Sequence, residues 1–192
     1  MGECFDLAFF LEKNRAKTDQ AKYKIMEILG LAEGKNRFSE HPYTLLANRE
    51  IGFFDGEFDD DDYVLYMIAV SEFHITKKSF EERMNQLLQV ADACLSQVDA
   101  ILFATGIYEV IYCQIEGITK IKDIDAKVLS KFPVLFFRTG DEQGFQTSYT
   151  HNNTSCVINS GESVQDIFAN PITELMEDEG LSFDEAMTKL GW

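Results

Sequence analysis

Two long apolar runs flanking one well-marked helix set what this chain can fold into. The runs are Tyr63 to Ile75 and Ile101 to Cys113, the second continuing to Ile115. Each is a nearly continuous apolar run that reads as a strand. Between them Phe80, Met84, Leu87, Leu88, Ala91, Leu95 and Val98 recur at helical spacing, so the spacing predicts an amphipathic helix over 79–98. Ser79 and Glu82 have the spacing of a capping box. Lys77, Lys78, Glu81, Arg83, Gln86 and Gln89 are left to the water face or the helix start. Gly106 interrupts the second run and predicts a bulge or a break there.

Upstream, Phe5 to Leu11 reads as another strand, this one buried on both faces. Thr18 then caps a helix over Asp19 to Leu29, with Gly30 suited to its C-terminal stop. Thr44 to Phe54 reads as a strand, and Asp55-Gly56 as the turn after it. From 5 to 115 the order is therefore strand, helix, strand, strand, helix, strand. That order matches the split β-α-β, ferredoxin-like arrangement, an antiparallel or mixed sheet with helices on one face. The fold class expected is α+β.

Downstream, a short helix or irregular crossing over Ile118 to Ser130, started by Asp123 or Asp125, precedes a strand over Phe132 to Arg138. The polar stretch 146–161 reads as a hairpin turning at Asn152-Asn153. Ser163 caps a helix running to about Glu179, broken or restarted at Asn170-Pro171. Ser182 and Glu185 form a second capping box for a short last helix. The whole is read as a single α+β domain over 1–192, with extra strands and acidic helices after residue 115. Whether the late strands join the first sheet is left open.

Hydrophobic residues make up 45% of the chain and include 16 Phe, so a core can form without a disulfide or a metal. Cys4, Cys94, Cys113 and Cys156 are scattered with no CxxC pair, the pattern of buried thiols in a reducing compartment. The first residues carry Glu3 and Asp6 where a secretory leader has positive charge. No window approaches the length of a membrane span. The expectation is a soluble, cytoplasmic protein. Formal charge is −16, from 33 acids against 17 bases. That composition excludes nonspecific binding to nucleic acid or anionic membrane, both of which require positive surface.

The charge is concentrated. Asp55, Glu57, Asp59, Asp60, Asp61 and Asp62 put six carboxylates into eight residues with no base among them. They do not fit a calcium-binding EF-hand loop, because Asp60 stands where that loop needs Gly and Tyr66 where it needs Glu. From Glu162 onward eight acids face the single Lys189. A second candidate region is the strand surface carrying Glu72 and His74, with Glu109 on the neighbouring strand, where a pocket would bring acid and base groups together. His151 and Cys156 could meet across the hairpin, but their spacing does not demand it. Glycine-rich phosphate loops, dinucleotide fingerprints, nucleophile elbows and paired zinc-ligand spacings are all missing. No cofactor and no metal is expected.

Two functions fit. The first is a non-enzymatic acidic interaction protein that binds a basic protein partner through the run Asp55 to Asp62. A bacterial immunity-type inhibitor of a toxin has this profile of small size, acidity and absent motifs. The second is an enzyme or small-molecule-binding α+β domain with its site near Glu72, His74 and Glu109. The apolar fraction also permits a homo-oligomer.

Overall fold

The computed structural model describes residues 4–31, 36–57, 61–71, 73, 75–105, 115–159 and 171–191. Among the described residues, seven antiparallel strands form one sheet. They are β1 (Cys4–Glu12), β2 (Ile51–Glu57), β3 (Tyr63–Ser71), β4 (Ile101–Thr105), β5 (Val134–Arg138), β6 (Tyr149–His151) and β7 (Thr154–Ile158). The spatial order is β2-β3-β1-β4-β5-β7-β6. The first four strands thus lie as β2-β3-β1-β4, with β3 inserted between β1 and β2. This is the strand order that the β-α-β-β-α-β sequence leads to, and the class is α+β. The late hairpin extends the same sheet, because β7 pairs with β5 from Val134↔Ile158 to Arg138↔Thr154. Its turn falls at Asn152, which takes the left-handed conformation at φ 48°.

The long helices α1 (Arg15–Ile28) and α2 (Phe80–Leu95) cover one face of the sheet. Leu7, Phe9 and Leu11 of β1 point to that face and pack with Ile25 and Leu29 of α1 and with Met84, Leu87 and Leu88 of α2. The alternate residues Ala8 and Phe10 point to the other face. There they join Tyr63, Leu65, Met67, Leu135 and Phe137 beneath Ile115, Ile124, Val128, Leu129 and Phe132. The segment 115–132, with the short helix α3 (Ala126–Leu129), is therefore a second layer. This explains the nearly continuous apolarity of β1 and β3, since both faces of each strand are covered. Asp125 starts α3 by accepting from the amides of Lys127 and Val128.

Several boundaries differ from the sequence expectation. Helix α1 begins at Arg15, and its cap is Asn14 rather than Thr18. Thr18 lies inside the first turn, where its hydroxyl donates to the Asn14 carbonyl. Gly30 does follow the helix end, at φ 66°. Thr44–Leu46 is a turn of 3-10 helix, not the start of a strand. Leu45 and Leu46 are fully buried from that turn, so their apolarity reflects core packing and not strand geometry. Asn48, at φ 60°, reverses the chain before β2. Asp55 and Gly56 are not a turn. Both lie within β2, opposite Tyr66 and Leu65.

The capping box expected at Ser79 and Glu82 does not form. The Ser79 hydroxyl instead accepts from the Thr76 amide, and Glu82 accepts from the Gln86 side chain. Gln86 is buried rather than facing water, and Arg83 is half-buried. The second box does form, with Ser182 and Glu185 starting α5 (Phe183–Leu190). It packs on α4 (Pro171–Glu179) as a helical pair. The expected cap at Ser163 and the continuation of the fourth strand through Gly106 lie outside the described residues.

Candidate functional site

The acidic run is not one free patch. Asp55 projects from edge strand β2 and pairs with Lys22 of α1 at 2.8 Å. Glu57 closes the β2–β3 pairing opposite Val64. Asp59 and Asp60 lie outside the described residues. Asp61 lies beside Tyr63, whose hydroxyl is pushed up to about 12 by burial first and then by the charges of Asp61 and Asp62. Asp62 is a fastening residue. Its carboxylate accepts from the Ile121 amide at 2.6 Å, its own amide donates to the Thr119 carbonyl, and its carbonyl accepts from the Lys13 amide. These bonds tie the start of β3 to the second layer, so part of the run is acidic for a structural reason.

The C-terminal acids sit elsewhere. Glu177 accepts from the Thr76 hydroxyl and Asp178 from the Lys78 amide, which docks α4 at the start of α2. Glu185 holds the Ser182 amide, and Glu179 pairs with Lys189. Asp62 precedes β3, whereas the contact with α4 follows its far end. The two acidic segments are therefore separated by the length of a nine-residue strand, roughly 26 Å at the usual rise. Among the described residues, they do not form one continuous negative face.

At the Asp62 end of the sheet the structure opens into a cleft of about 550 Å³. Among the described residues, its ionisable lining comprises Glu12 from the end of β1, Asp99 from the α2–β4 connection, Arg138 from the end of β5 and Asp141 from the loop after it. Ile121 forms part of the same wall, and Asp62 holds its amide. Arg138 is engaged within the chain. Its Nε donates to the Leu95 carbonyl at 3.0 Å and Nη2 to the Val98 carbonyl at 3.2 Å, while Nη1 lies 3.5 Å from Asp99. A guanidinium there satisfies carbonyls at the end of α2, where cations are favoured. The loop that carries Asp141 is braced by Glu142, which accepts from the Gly140 amide and from the Ser155 hydroxyl at 2.7 Å. Those bonds, the amide's first, hold the Glu142 carboxyl below its ordinary range. Glu12 and Asp141 carry no side-chain bond among the described residues. The cleft thus presents two unengaged carboxylates, with a third shared with Arg138.

Glu12, Asp99 and Asp141 were not singled out by the sequence. They come from a strand end and two separate connections, far apart in the chain, and only strand pairing brings them together. Glu72, His74 and Glu109, the second candidate region, lie outside the described residues. Across the hairpin, the partner of Cys156 is Tyr149, while His151 pairs with Thr154. Burial pushes the Cys156 thiol up to about 12, the opposite of what a nucleophilic thiolate needs. Cys94 is likewise a buried free thiol pushed up to about 12. Among the described residues, no group of three His, Cys, Asp or Glu side chains converges on a metal-sized site. No described helix is long and apolar enough to cross a membrane. Comparison with known protein families, with curated proteins and with solved structures finds no match to this chain.

Proposed function

We propose that this chain is a non-enzymatic interaction protein that docks a basic protein surface at the end of the sheet bearing Glu12, Asp61 and Asp141. The observation that carries the reading is the cleft, where Arg138 is already committed to the α2 carbonyls and, among the described residues, the carboxylates of Glu12 and Asp141 have no side-chain partner. A lysine or arginine from a partner would enter against acids and displace no internal ion pair. The overall charge of −16 adds long-range attraction for such a partner and speeds encounter. Within this class, an immunity-type inhibitor of a basic toxin is the narrower assignment. Such inhibitors need a preformed acidic surface and no catalytic group.

The test is affinity capture from a lysate of the source organism, using wild type and a Glu12→Gln/Asp141→Asn variant as baits at matched salt. Neutralising the whole run Asp59 to Asp62 would confound the result, because Asp62 fastens the fold. A basic protein held by the wild type and released by the variant is the expected outcome. An identical set of captured proteins from both baits refutes the reading.

A further inference from the structure

The helical pair α4–α5 stands apart from both cores. Among the described residues, neither packed layer of the sheet includes a side chain from 171–190. No residue of α4 is buried, and in α5 only Ala186 is. The pair is nevertheless rich in apolar side chains. Phe183, Ala186, Met187 and Leu190 recur at i, i+3, i+4 and i+7, so they share one stripe of α5. Leu175 and Met176 are their counterparts in α4. Phe183 is 54% exposed and Met176 38%, while Leu175, Met187 and Leu190 are half-buried. Helices of nine and eight residues are marginal in water unless an apolar face is packed. An amphipathic pair that adds nothing to the core and keeps its apolar side chains half in water has the character of a docking surface.

The pair is shaped from within, and its mooring to the rest of the chain is polar. Gly180, at φ 72°, reverses the chain between the helices, and the Leu181 amide donates to the Leu175 carbonyl at 3.4 Å. The Ser182–Glu185 capping box starts α5, and Lys189 pairs with Glu179. Glu177 and Asp178 fasten α4 to Thr76 and Lys78. Geometry set before a partner arrives lowers the ordering cost of binding. The charge of the pair then selects the partner. Glu174, Glu177, Asp178, Glu179, Asp184 and Glu185 stand against Lys189 alone. That imbalance repels nucleic acid, anionic membrane and a second copy of the same acidic face, and it attracts cations.

We propose that α4–α5 docks a basic amphipathic helix of another protein. The apolar stripe of that helix would lie on Phe183, Met176, Met187 and Leu190, the helix-in-groove mode of recognition. The two methionines suit it, because their unbranched side chains adapt to unlike apolar surfaces. Lysines or arginines beside the stripe would face Glu174 and Asp184, whose carboxylates carry no side-chain bond among the described residues. The surface uses none of the cleft residues, so the inference stands whether or not the cleft docks a partner.

The test is fluorescence anisotropy of the full chain with two labelled peptides of leucine and lysine. One carries leucine at i, i+3, i+4 and i+7. The other has the same composition in scrambled order, with equal charge and no apolar stripe. The wild type is expected to bind the striped peptide about tenfold more tightly than the scramble. That margin should survive moderate salt, since it comes from apolar contact. Met176→Gln/Phe183→Gln should erase the margin, and both side chains are exposed, so the fold is not at stake. Phe183→Leu, which keeps an apolar side chain, should retain most of it. Equal affinity of the wild type for the two peptides, or no binding of either, overturns the inference. So does an undiminished margin in the double variant. A margin lost in Glu12→Gln/Asp141→Asn instead would seat the peptide in the cleft and overturn it too. A concentration-dependent dimer of the wild type, absent from Met176→Gln/Phe183→Gln in sedimentation, would give the face to a second copy and likewise refute it.

Discussion

Replacing Asp6 with asparagine should change how stability depends on pH. Asp6 lies mid-sheet in β1, opposite Ala69 of β3 and Thr105 of β4. It is 3% exposed, and burial pushes its carboxyl from the ordinary 3.8 up to about 7. A folded-state value above the unfolded one means the folded chain holds a proton that the unfolded chain releases. Stability from this group is therefore fully present below about pH 4 and is lost as pH rises toward 7. Each pH unit in that window costs about 1.4 kcal/mol, or about 4 kcal/mol over the whole of it. The amide introduced by Asp6→Asn does not titrate, so in that variant the slope disappears.

Urea unfolding of the two proteins at pH 5.5, 6.5 and 7.5 measures the difference. The variant should gain about 2 kcal/mol relative to wild type between pH 5.5 and 7, then run parallel to it. A constant offset between the two proteins is immaterial, because a buried amide has its own hydrogen-bonding cost. Parallel profiles across the whole range would refute the reasoning.

Asp62→Ala should lower stability by about 1 kcal/mol, because the amide of Ile121 loses a charged acceptor that is itself partly exposed, and the melting midpoint should fall by about 2–4 °C. Asp55→Asn is the control; its pair with Lys22 is exposed on both sides, so its melt should match the wild type. Equal melts for both variants would remove the fastening role given to Asp62. Ser182→Ala breaks the cap of a peripheral helix, at a cost of about 1 kcal/mol. Amide exchange in residues 186–190 should speed up about fivefold at that cost, while the urea midpoint stays put; unchanged exchange would contradict the capping box.

The β-α-β-β-α-β order was legible because burial on two faces writes itself as continuous apolarity, and α2 as a stripe from Met84 to Leu95. The hairpin was legible from Asn152-Asn153, since Asn tolerates the left-handed turn. Other features depended on competition that a sequence does not display. Ser79 has the spacing of a cap, but Thr76 takes its hydroxyl. Leu45 and Leu46 look like strand residues because a 3-10 turn buries leucine just as completely. Gln86 looks like a water-facing residue, yet it is folded inward with Glu82 and Arg83. The acidic run looked uniform, whereas Asp62 is bound into the fold and Asp55 is paired. The cleft acids Glu12, Asp99 and Asp141 carried no joint signal, since they are distant in the chain. Asp6 did carry one: a lone carboxylate within FDLAFFL marks a buried charge.

The docking account is tested most directly by the salt dependence of affinity for the captured basic partner, measured for wild type and for Glu12→Gln/Asp141→Asn. The account predicts that the variant binds at least tenfold more weakly at low salt and shows a shallower loss of affinity as salt rises. Equal affinity and equal salt dependence for the two proteins would contradict it.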